Sequence, residues 1–322
     1  MTSLSFVIPC YRSAETLPAV VQEIKETLQT ERFAGKYTHE IILVCDGSPD
    51  NTYEVIREMA AKDAQIRGIN FARNFGQHAA LMAGIRASKG DIVICLDDDG
   101  QSPANQCDRL IDKIEEGYDA CYASYAHKKH SGARNAGSRL NERMTRMMLG
   151  KPKELYISSY FAVKRFVAEE MANYTNAYPY VLGLVLRTTK NIANAPVDHR
   201  ERAAGTTGYT FKKLLGLWFN GFTNFSVKPL RIATFCGGFF AIIGFLYALW
   251  TVVKHLFIDN SQPMGWTMMM SVLLFIGGIV MLMLGLIGEY IGRIYVSMNA
   301  APQYVIRERT DDAPQSDGNM SG

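Results

Sequence analysis

The chain has no Cys-x-x-Cys pair among its six cysteines, Cys10, Cys45, Cys95, Cys107, Cys121 and Cys236. That absence argues against a zinc site or a disulfide framework. Three of the six sit in apolar, strand-like runs, and Cys236 sits in a longer apolar run, so they read as small buried hydrophobes of a reducing compartment. No G-x-x-x-x-G-K-[ST] occurs, and Pro9-Cys10-Tyr11 stands where a glycine-rich dinucleotide turn would follow the first strand. A P-loop enzyme and a dehydrogenase are therefore poor readings. Charge of one sign is lacking too: 34 Lys and Arg against 31 Asp and Glu leave a net charge of +3, which gives no support for nucleic acid as partner. Met1 to Pro9 has no basic leader, so the sequence predicts no signal peptide and a cytoplasmic location for the first 230 residues or so. With 48% hydrophobic and 20% charged residues, disordered and collagen-like classes are excluded for most of the chain.

What is present is unevenly distributed. The mean hydropathy of −0.03 averages a charged region, residues 1–231, with two uncharged apolar runs beyond it. The charged region alternates strand and helix signals. Leu4–Ile8 reads as a strand stopped by Pro9, followed by a helix over Ala14–Leu28. Glu40–Cys45 reads as a strand buried on both faces, then a helix over Thr52–Lys62, a strand at Ile66–Phe71 and a helix at Gly76–Ser88. Asp91–Leu96 is a fourth strand and Tyr118–Tyr122 a fifth. Repeated strand–helix units of this length predict an α/β domain, a mostly parallel sheet with helices on both faces, binding ligands at the carboxyl ends of its strands. Pro9–Tyr11, Asp46–Ser48, Arg73–Gly76 and Asp97–Gln101 all fall at such ends. Four polar clusters on one sheet edge define one site.

Ile232–Val253 and Trp266–Gly288 are 22 and 23 residues long and carry no charge. About 20 apolar residues suffice for a helix to cross a bilayer. Two such runs joined by a short loop predict a transmembrane hairpin, and Lys228, Arg231, Arg293, Arg307 and Arg309 outside it place both termini in the cytoplasm. The expected organisation is a catalytic domain over 1–208, an amphipathic interfacial segment over 209–231, and a hairpin over 232–290 with spans 232–254 and 266–290. A cytoplasmic tail over 291–322 completes it, disordered from about residue 310. An ordinary amphipathic helix packed on the soluble domain is an equal reading of 209–231.

Asp97-Asp98-Asp99-Gly100-Gln101 is the strongest chemical cluster. Adjacent carboxylates repel, and a hard divalent cation, Mg2+ or Mn2+, relieves that repulsion. In an extended segment Asp97 and Asp99 point one way and Asp98 the other. A solvated acidic turn capping the next helix is the alternative. Asp46 offers an acceptor for a base N–H, and Tyr11 a ring to pack on that base. The basic run His127–Arg146, with Lys128 and Arg134, and the pair Arg200 and Arg202 before the apolar runs offer grips for an anionic group.

The order Phe6-Val7-Ile8-Pro9-Cys10-Tyr11, Val44–Thr52, Arg73-Asn74-Phe75-Gly76 and Asp97–Gln101 resembles the family 2 (GT-A) glycosyltransferases. Arg202-x-x-Gly205-x-Thr207-x-Tyr209, Lys228–Arg231 and Gly288–Tyr295 narrow the resemblance to the polyprenyl-phosphate glycosyltransferases, over residues 4–306 or so. These include dolichyl-phosphate mannose synthases, undecaprenyl-phosphate glucosyltransferases and the undecaprenyl-phosphate formamidoarabinose transferase. The resemblance implies a GT-A, Rossmann-like fold and an inverting, metal-dependent single displacement. A nucleotide sugar, most simply a UDP-sugar, is the implied donor; a polyprenyl (undecaprenyl) phosphate is the acceptor, at the bacterial inner membrane, for cell-envelope glycan modification such as that of lipopolysaccharide. It implies that Pro9, Tyr11, Asp46, Asp97 and Asp98 hold the nucleotide, that Asp97 lies near the transferred group, and that Asp99 and Gln101 hold the metal. Arg202 would contact the acceptor phosphate and, with Asp97 and Asp99, make up the catalytic set. The oligomeric state is open, a homo-oligomer included.

Three departures from the family pattern stand out. Cys45 replaces the first of two aspartates; Tyr125 stands for an arginine that Arg134 or Lys128 would replace; and Ser158-Ser159-Tyr160-Phe161 stands for a Gly-Asp-Phe-Arg-like stretch. A processive polysaccharide synthase would carry Q-x-x-R-W and more spans, and neither is present. A transferase of the same fold with a non-lipid acceptor, which would need a general base, and a catalytically inactive membrane scaffold are the remaining alternatives.

Overall fold

A computed structural model describes residues 1–125, 152–177, 179–198, 200, 239, 242, 243, 246, 250, 266–298 and 302–312. The chain divides into two compact units, Met1–Gly208 together with Ala301–Gly322, and Tyr209–Ala300.

The first unit is built on an eight-stranded sheet. In chain order its elements are β1 (Thr2–Cys10), α1 (Leu17–Leu28), β2 (Tyr37–Cys45), α2 (Thr52–Lys62), β3 (Ile66–Phe71), α3 (Gln77–Ala87) and β4 (Ile92–Cys95). A short 3-10 turn at Ala104–Gln106 then leads into α4 (Cys107–Glu115) and β5 (Ala120–Tyr125). After the described chain resumes come β6 (Phe161–Lys164), α5 (Arg165–Ala172), α6 (Val181–Thr188), β7 (Ile192–Val197) and, far along the chain, β8 (Ile306–Arg309). The strand order is β7-β5-β6-β4-β1-β2-β3-β8. The β1–β2, β1–β4, β2–β3 and β5–β7 pairs are parallel; β6 runs antiparallel to β4 and β5, and β8 antiparallel to β3.

Side-chain alternation divides the core into two layers. Phe6, Ile8, Ile41, Leu43 and Ile94 share one cluster with Leu17, Val20 and Ile24 of α1, Ile56 of α2 and Leu110 and Ile111 of α4. The opposite face meets α3, whose Gly84 lies so close to Val7 that an added Cβ would sit 2.2 Å from its Cγ1. Helix α3 therefore packs flat on the central strands, and its first turn projects from their carboxyl ends.

Pro9 does not stop the first strand, as the sequence suggests; β1 continues to Cys10 opposite Cys45. The β1–β4 register instead ends at Val7↔Cys95. A proline two residues on offers no N–H to extend that ladder, while the β2 side continues past it. The sequence reading assigns no strand to the tail before residue 310. Ile306–Arg309 joins the edge of β3, and the Thr310 hydroxyl accepts from the Gly68 amide at 2.8 Å. A four-residue strand with three exposed positions carries no apolar alternation by which sequence could reveal it.

In the second unit the structure describes one long helix, α7 (Trp266–Met298), of 33 residues. At 1.5 Å per residue it spans about 50 Å. Its amino-terminal part is the uncharged Trp266–Gly288 run, and it continues through Glu289 and Arg293 without a break. Met269, Leu273, Ile276, Val280, Met281 and Leu284 are exposed on it. Counting the described residues alone, no helix is long and apolar enough to cross a membrane. The interfacial segment 209–231, nearly all of the first span and the loop before α7 lie outside the described residues.

Candidate active site

Four loops leave the carboxyl ends of β1 to β4 and are tied into one edge. After β1, Arg12 takes a positive φ of 55°, which turns the chain so that its amide donates to Ser48 Oγ at 2.8 Å. The Ser13 amide donates to Thr52 Oγ1 at 3.1 Å. Tyr11, 44% exposed, stands at the rim while its amide donates to Asp98 Oδ2 at 3.1 Å. Loops one, two and four are thereby cross-linked through backbone amides.

Asp46 ties the second loop to the third. Its carboxylate accepts from the Phe75 amide at 2.7 Å and the Gly76 amide at 2.8 Å. Asn74 Nδ2 donates to its carbonyl at 3.2 Å. Gly47 is required beside it: φ is +58°, and a Cβ would lie 2.3 Å from the Arg73 carbonyl carbon. Burial pushes the Asp46 carboxyl upward, against the two amides that hold it ionised. Asp46 thus shapes the Arg73–Gly76 loop through both of its oxygens, each of which can accept a further donor such as a base N–H.

The fourth loop carries the acidic cluster. Asp97 accepts from Gln77 Nε2 at 2.7 Å and from the Ser159 hydroxyl. Asp98 turns the other way, toward Tyr11 and Ser13. The alternation inferred from an extended backbone holds for this pair. Asp99 Oδ1 accepts from the Gln101 amide at 3.1 Å, around Gly100 at φ +73°. The Asp97 carboxyl is pushed up to about 6, first by burial and then by repulsion from Asp99 and Asp98, against the hydrogen bonds from Ser159 and Gln77. Burial also raises Asp98. Among the described residues no lysine or arginine pairs with Asp97 or Asp98. No group of three or more His, Cys, Asp or Glu there is arranged to enclose a metal ion.

The structure therefore brings Tyr11, Asp46, Asp97, Asp98, Asp99 and Gln101 to one edge. Pro9 is buried within β1. Arg202, Arg134 and Lys128 lie outside the described residues. Arg200 is engaged elsewhere, donating to Glu23 at 2.8 Å and to Asn105 at 3.1 Å. Sequence reasoning missed Gln77 and Ser159. Ser159 lay in the stretch already marked as a departure, and Gln77 directly follows the Arg73–Gly76 motif. Tyr125 completes the rim, its hydroxyl 3.4 Å from Ser102 Oγ. His78 is not part of this chemistry: burial pushes its imidazole down to about 4, and its ring packs edge-on against Tyr180 at 5.0 Å. The five described cysteines are free and buried.

Residues 5–172, just over half the chain, match the model of glycosyl transferase family 2. The chain belongs to glycosyl transferase family 2. Residues 228–294 of this family 2 glycosyltransferase match a second model, the GtrB C-terminal hairpin. An undecaprenyl-phosphate 4-deoxy-4-formamido-L-arabinose transferase of Shewanella sediminis is 33% identical to it over 99% of this chain and 97% of that protein. A protein of the same name from Pectobacterium carotovorum is 34% identical over 97% and 94%. An uncharacterized glycosyltransferase of Bacillus subtilis, YkcC, is 32% identical over 94% and 93%. Among solved structures, glucosyl-3-phosphoglycerate synthase from Mycobacterium tuberculosis, crystallised with Mn2+, UDP and glucosyl-3-phosphoglycerate, is 19% identical with a TM-score of 0.48, over 69% of this chain and 77% of that one.

Proposed function

We propose that this glycosyltransferase moves a sugar from a nucleotide sugar, a UDP-sugar, to the phosphate of a polyprenyl phosphate, undecaprenyl phosphate, at the bacterial inner membrane. The observation that carries the reading is the acidic edge: Asp97 and Asp98 share it with Asp99, with no described lysine or arginine paired to the first two. Such an edge repels a nucleotide diphosphate unless a cation intervenes. The donor set fits a hard divalent ion, Mg2+ or Mn2+, because one or two carboxylates plus substrate phosphates is the usual way such an ion is held. Asp99 and Gln101 would hold it, and when bound it supplies Lewis-acid stabilisation of the leaving diphosphate.

The remaining work falls to the chain. The exposed Tyr11 ring packs on the base, and the loop that Asp46 shapes forms the wall beside it. Asp97, fixed by Gln77 and Ser159, orients the sugar. A phosphate monoester has a second pKa of about 6, so the acceptor is already mostly dianionic and needs no general base. A buried His78 with a lowered pKa accords with that. The reading takes the displacement as a single inverting step. Arg202, with Lys128 and Arg134 as alternates, would grip the acceptor phosphate and offset its repulsion from the donor diphosphate.

Membrane attachment is supported by the uncharged Trp266–Gly288 run, by the exposed apolar side chains of α7 and by the match of 228–294 to a hairpin model. In water that surface would be a large apolar liability; in lipid it is the expected one. Spans at 232–254 and 266–290 with both termini cytoplasmic, and an interfacial segment at 209–231, complete the proposal. The decisive experiment offers the full-length protein a panel of nucleotide sugars with undecaprenyl phosphate and reads the lipid product by mass spectrometry. A glycosylated lipid phosphate is expected for at least one donor. Nucleotide release only with a non-lipid acceptor, or none with any, would sink the reading. Arg202→Ala should raise the apparent KM for the lipid roughly ten- to hundredfold with the donor KM little changed.

A further inference from the structure

The segment that follows α7, Pro302–Asp312, reaches toward the active edge through aromatic contacts that the transferase reading does not use. Tyr304 lies parallel to Phe71, at the end of β3, with ring centroids 5.0 Å apart and an interplanar angle of 6°. Phe71 meets Phe75 edge-on at 5.8 Å and 88°. The Arg73 guanidinium also lies on Phe75, 4.3 Å from its centroid. Phe75 is the residue whose amide donates to Asp46. Three rings thus connect the C-terminal segment to the loop that Asp46 holds.

Tyr304 is itself held in place. Arg86 Nη1 donates to its hydroxyl at 3.1 Å, and the same guanidinium donates to the Ala172 and Tyr174 carbonyls at 3.0 and 2.7 Å. The neighbouring Gln303, 7% exposed, donates through Nε2 to the Tyr174 and Asn176 carbonyls, both at 2.7 Å. That connection between α5 and α6 leads to Tyr180, which packs on His78, the residue after Gln77. The strand partners Glu308 and Asn70, whose Nδ2 donates to Glu308 Oε1 at 3.0 Å, tie the same segment to β3 outside the ring stack.

We propose that Tyr304 is a positioning residue for the nucleotide pocket: its stack on Phe71 sets Phe75 and so the Arg73–Gly76 loop in the conformation that Asp46 captures. A flat ring at position 304 is what the arrangement requires, since offset and edge-on aromatic geometry, rather than apolar volume alone, fixes where Phe75 lies. The segment follows the family hairpin directly in sequence, so the chain that leaves the hairpin also braces the donor site. This inference rests on reading that edge as the nucleotide site.

The test compares full-length wild type with Tyr304→Ala, Tyr304→Leu, Tyr304→Phe and Glu308→Ala, the last loosening β8 without touching a ring. Two quantities are read: the Kd for UDP with Mn2+ by calorimetry, and amide hydrogen exchange in the peptide containing Phe75 and Gly76. Tyr304→Ala and Tyr304→Leu should weaken UDP about five- to twentyfold and accelerate exchange at those two amides. Tyr304→Phe should stay within about twofold of wild type, and so should Glu308→Ala, even where its Tm falls. Unchanged UDP affinity in Tyr304→Leu overturns the proposal, as does a Tyr304→Phe variant as weak as the alanine one, since that would assign the effect to the Arg86 hydrogen bond. If wild type binds no UDP, the functional reading fails, and the exchange data still decide whether Tyr304 sets the loop.

Discussion

At the amino end of the sheet, Glu40 lies among donors: Ser5 Oγ and the Lys89 amide, each at 2.6 Å, and Arg67, also at 2.6 Å. Asp91 there accepts from the amide and the hydroxyl of Ser3. Although burial alone would raise Glu40, its hydrogen bonds and Arg67 bring it below the usual range, and the bonds from Ser3 lower Asp91. At the carboxyl end Asp46, Asp97 and Asp98 are shifted the other way, raised with burial first among the causes, while Asp50 near them is lowered, against its burial, by bonds from Ser48 and Thr52. At the amino end the donors of the chain outweigh burial; at the carboxyl end burial outweighs the donors that Asp46, Asp97 and Asp98 do have. On the proposed function, that contrast is the usual separation between a scaffold and its site.

The largest effect expected of this contrast is at Asp99. Asp99→Asn keeps the shape and removes a charge from the edge proposed to hold a cation against a diphosphate. Turnover should fall at least about a hundredfold while Tm stays near wild type. Wild-type turnover in the variant, or full activity in excess chelator, would dissolve the contrast at its functional end.

Glu40→Gln acts at the other end. The Glu40 carboxyl is lowered in the fold, so its contribution is present above the unfolded pKa of about 4.3 and lost as pH falls through the folded value. The variant should be about 1–2 kcal/mol less stable near neutral pH, with activity per folded molecule unchanged. The deficit should close on acidification; a deficit independent of pH would assign it to packing instead.

Asp97→Asn should reverse that sign. The Asp97 carboxyl is raised to about 6, so the folded state holds a proton that the unfolded chain has released between about pH 4 and 6. Stability falls with rising pH across that window. Without added divalent ion, the asparagine variant should therefore be more stable than wild type near pH 8, by about 1 kcal/mol, and the gain should vanish near pH 4. Thermal unfolding across the pH range reads it, and equal curves would mean that another group absorbs the repulsion.

The smallest effect is at Ser159, whose hydroxyl favours the ionised Asp97. Ser159→Ala should move the acidic limb of kcat/KM upward by about half a pH unit to one unit, with less than about tenfold loss above it. An unmoved limb with lower kcat would make Ser159 a substrate contact rather than a tuner of Asp97.

Periodicity was enough to locate what depends on local chain chemistry. Helix Thr52–Lys62 and strand Ile66–Phe71 fall where their apolar patterns end, and the four loops meet at one edge because parallel strands with crossover helices allow no other arrangement. The uncharged run that begins α7 is equally local. What sequence could not place depends on contacts far apart in the chain. Strand β8 pairs with β3 across more than 230 positions, as the Asn70–Glu308 bond shows, and has no apolar alternation of its own. Strand β6 is four residues long and antiparallel between β4 and β5, so neither its length nor its direction was readable from a repeating strand–helix pattern. Ser159 reaches Asp97 across 62 positions, and Asp46 spends its carboxylate on amides 29 and 30 residues away. Which polar groups gather at this edge was therefore written in the sequence; which of them the scaffold engages, and how far each is desolvated, was decided only by tertiary packing, because hydrogen-bond partners and burial are set by whatever chain arrives from elsewhere.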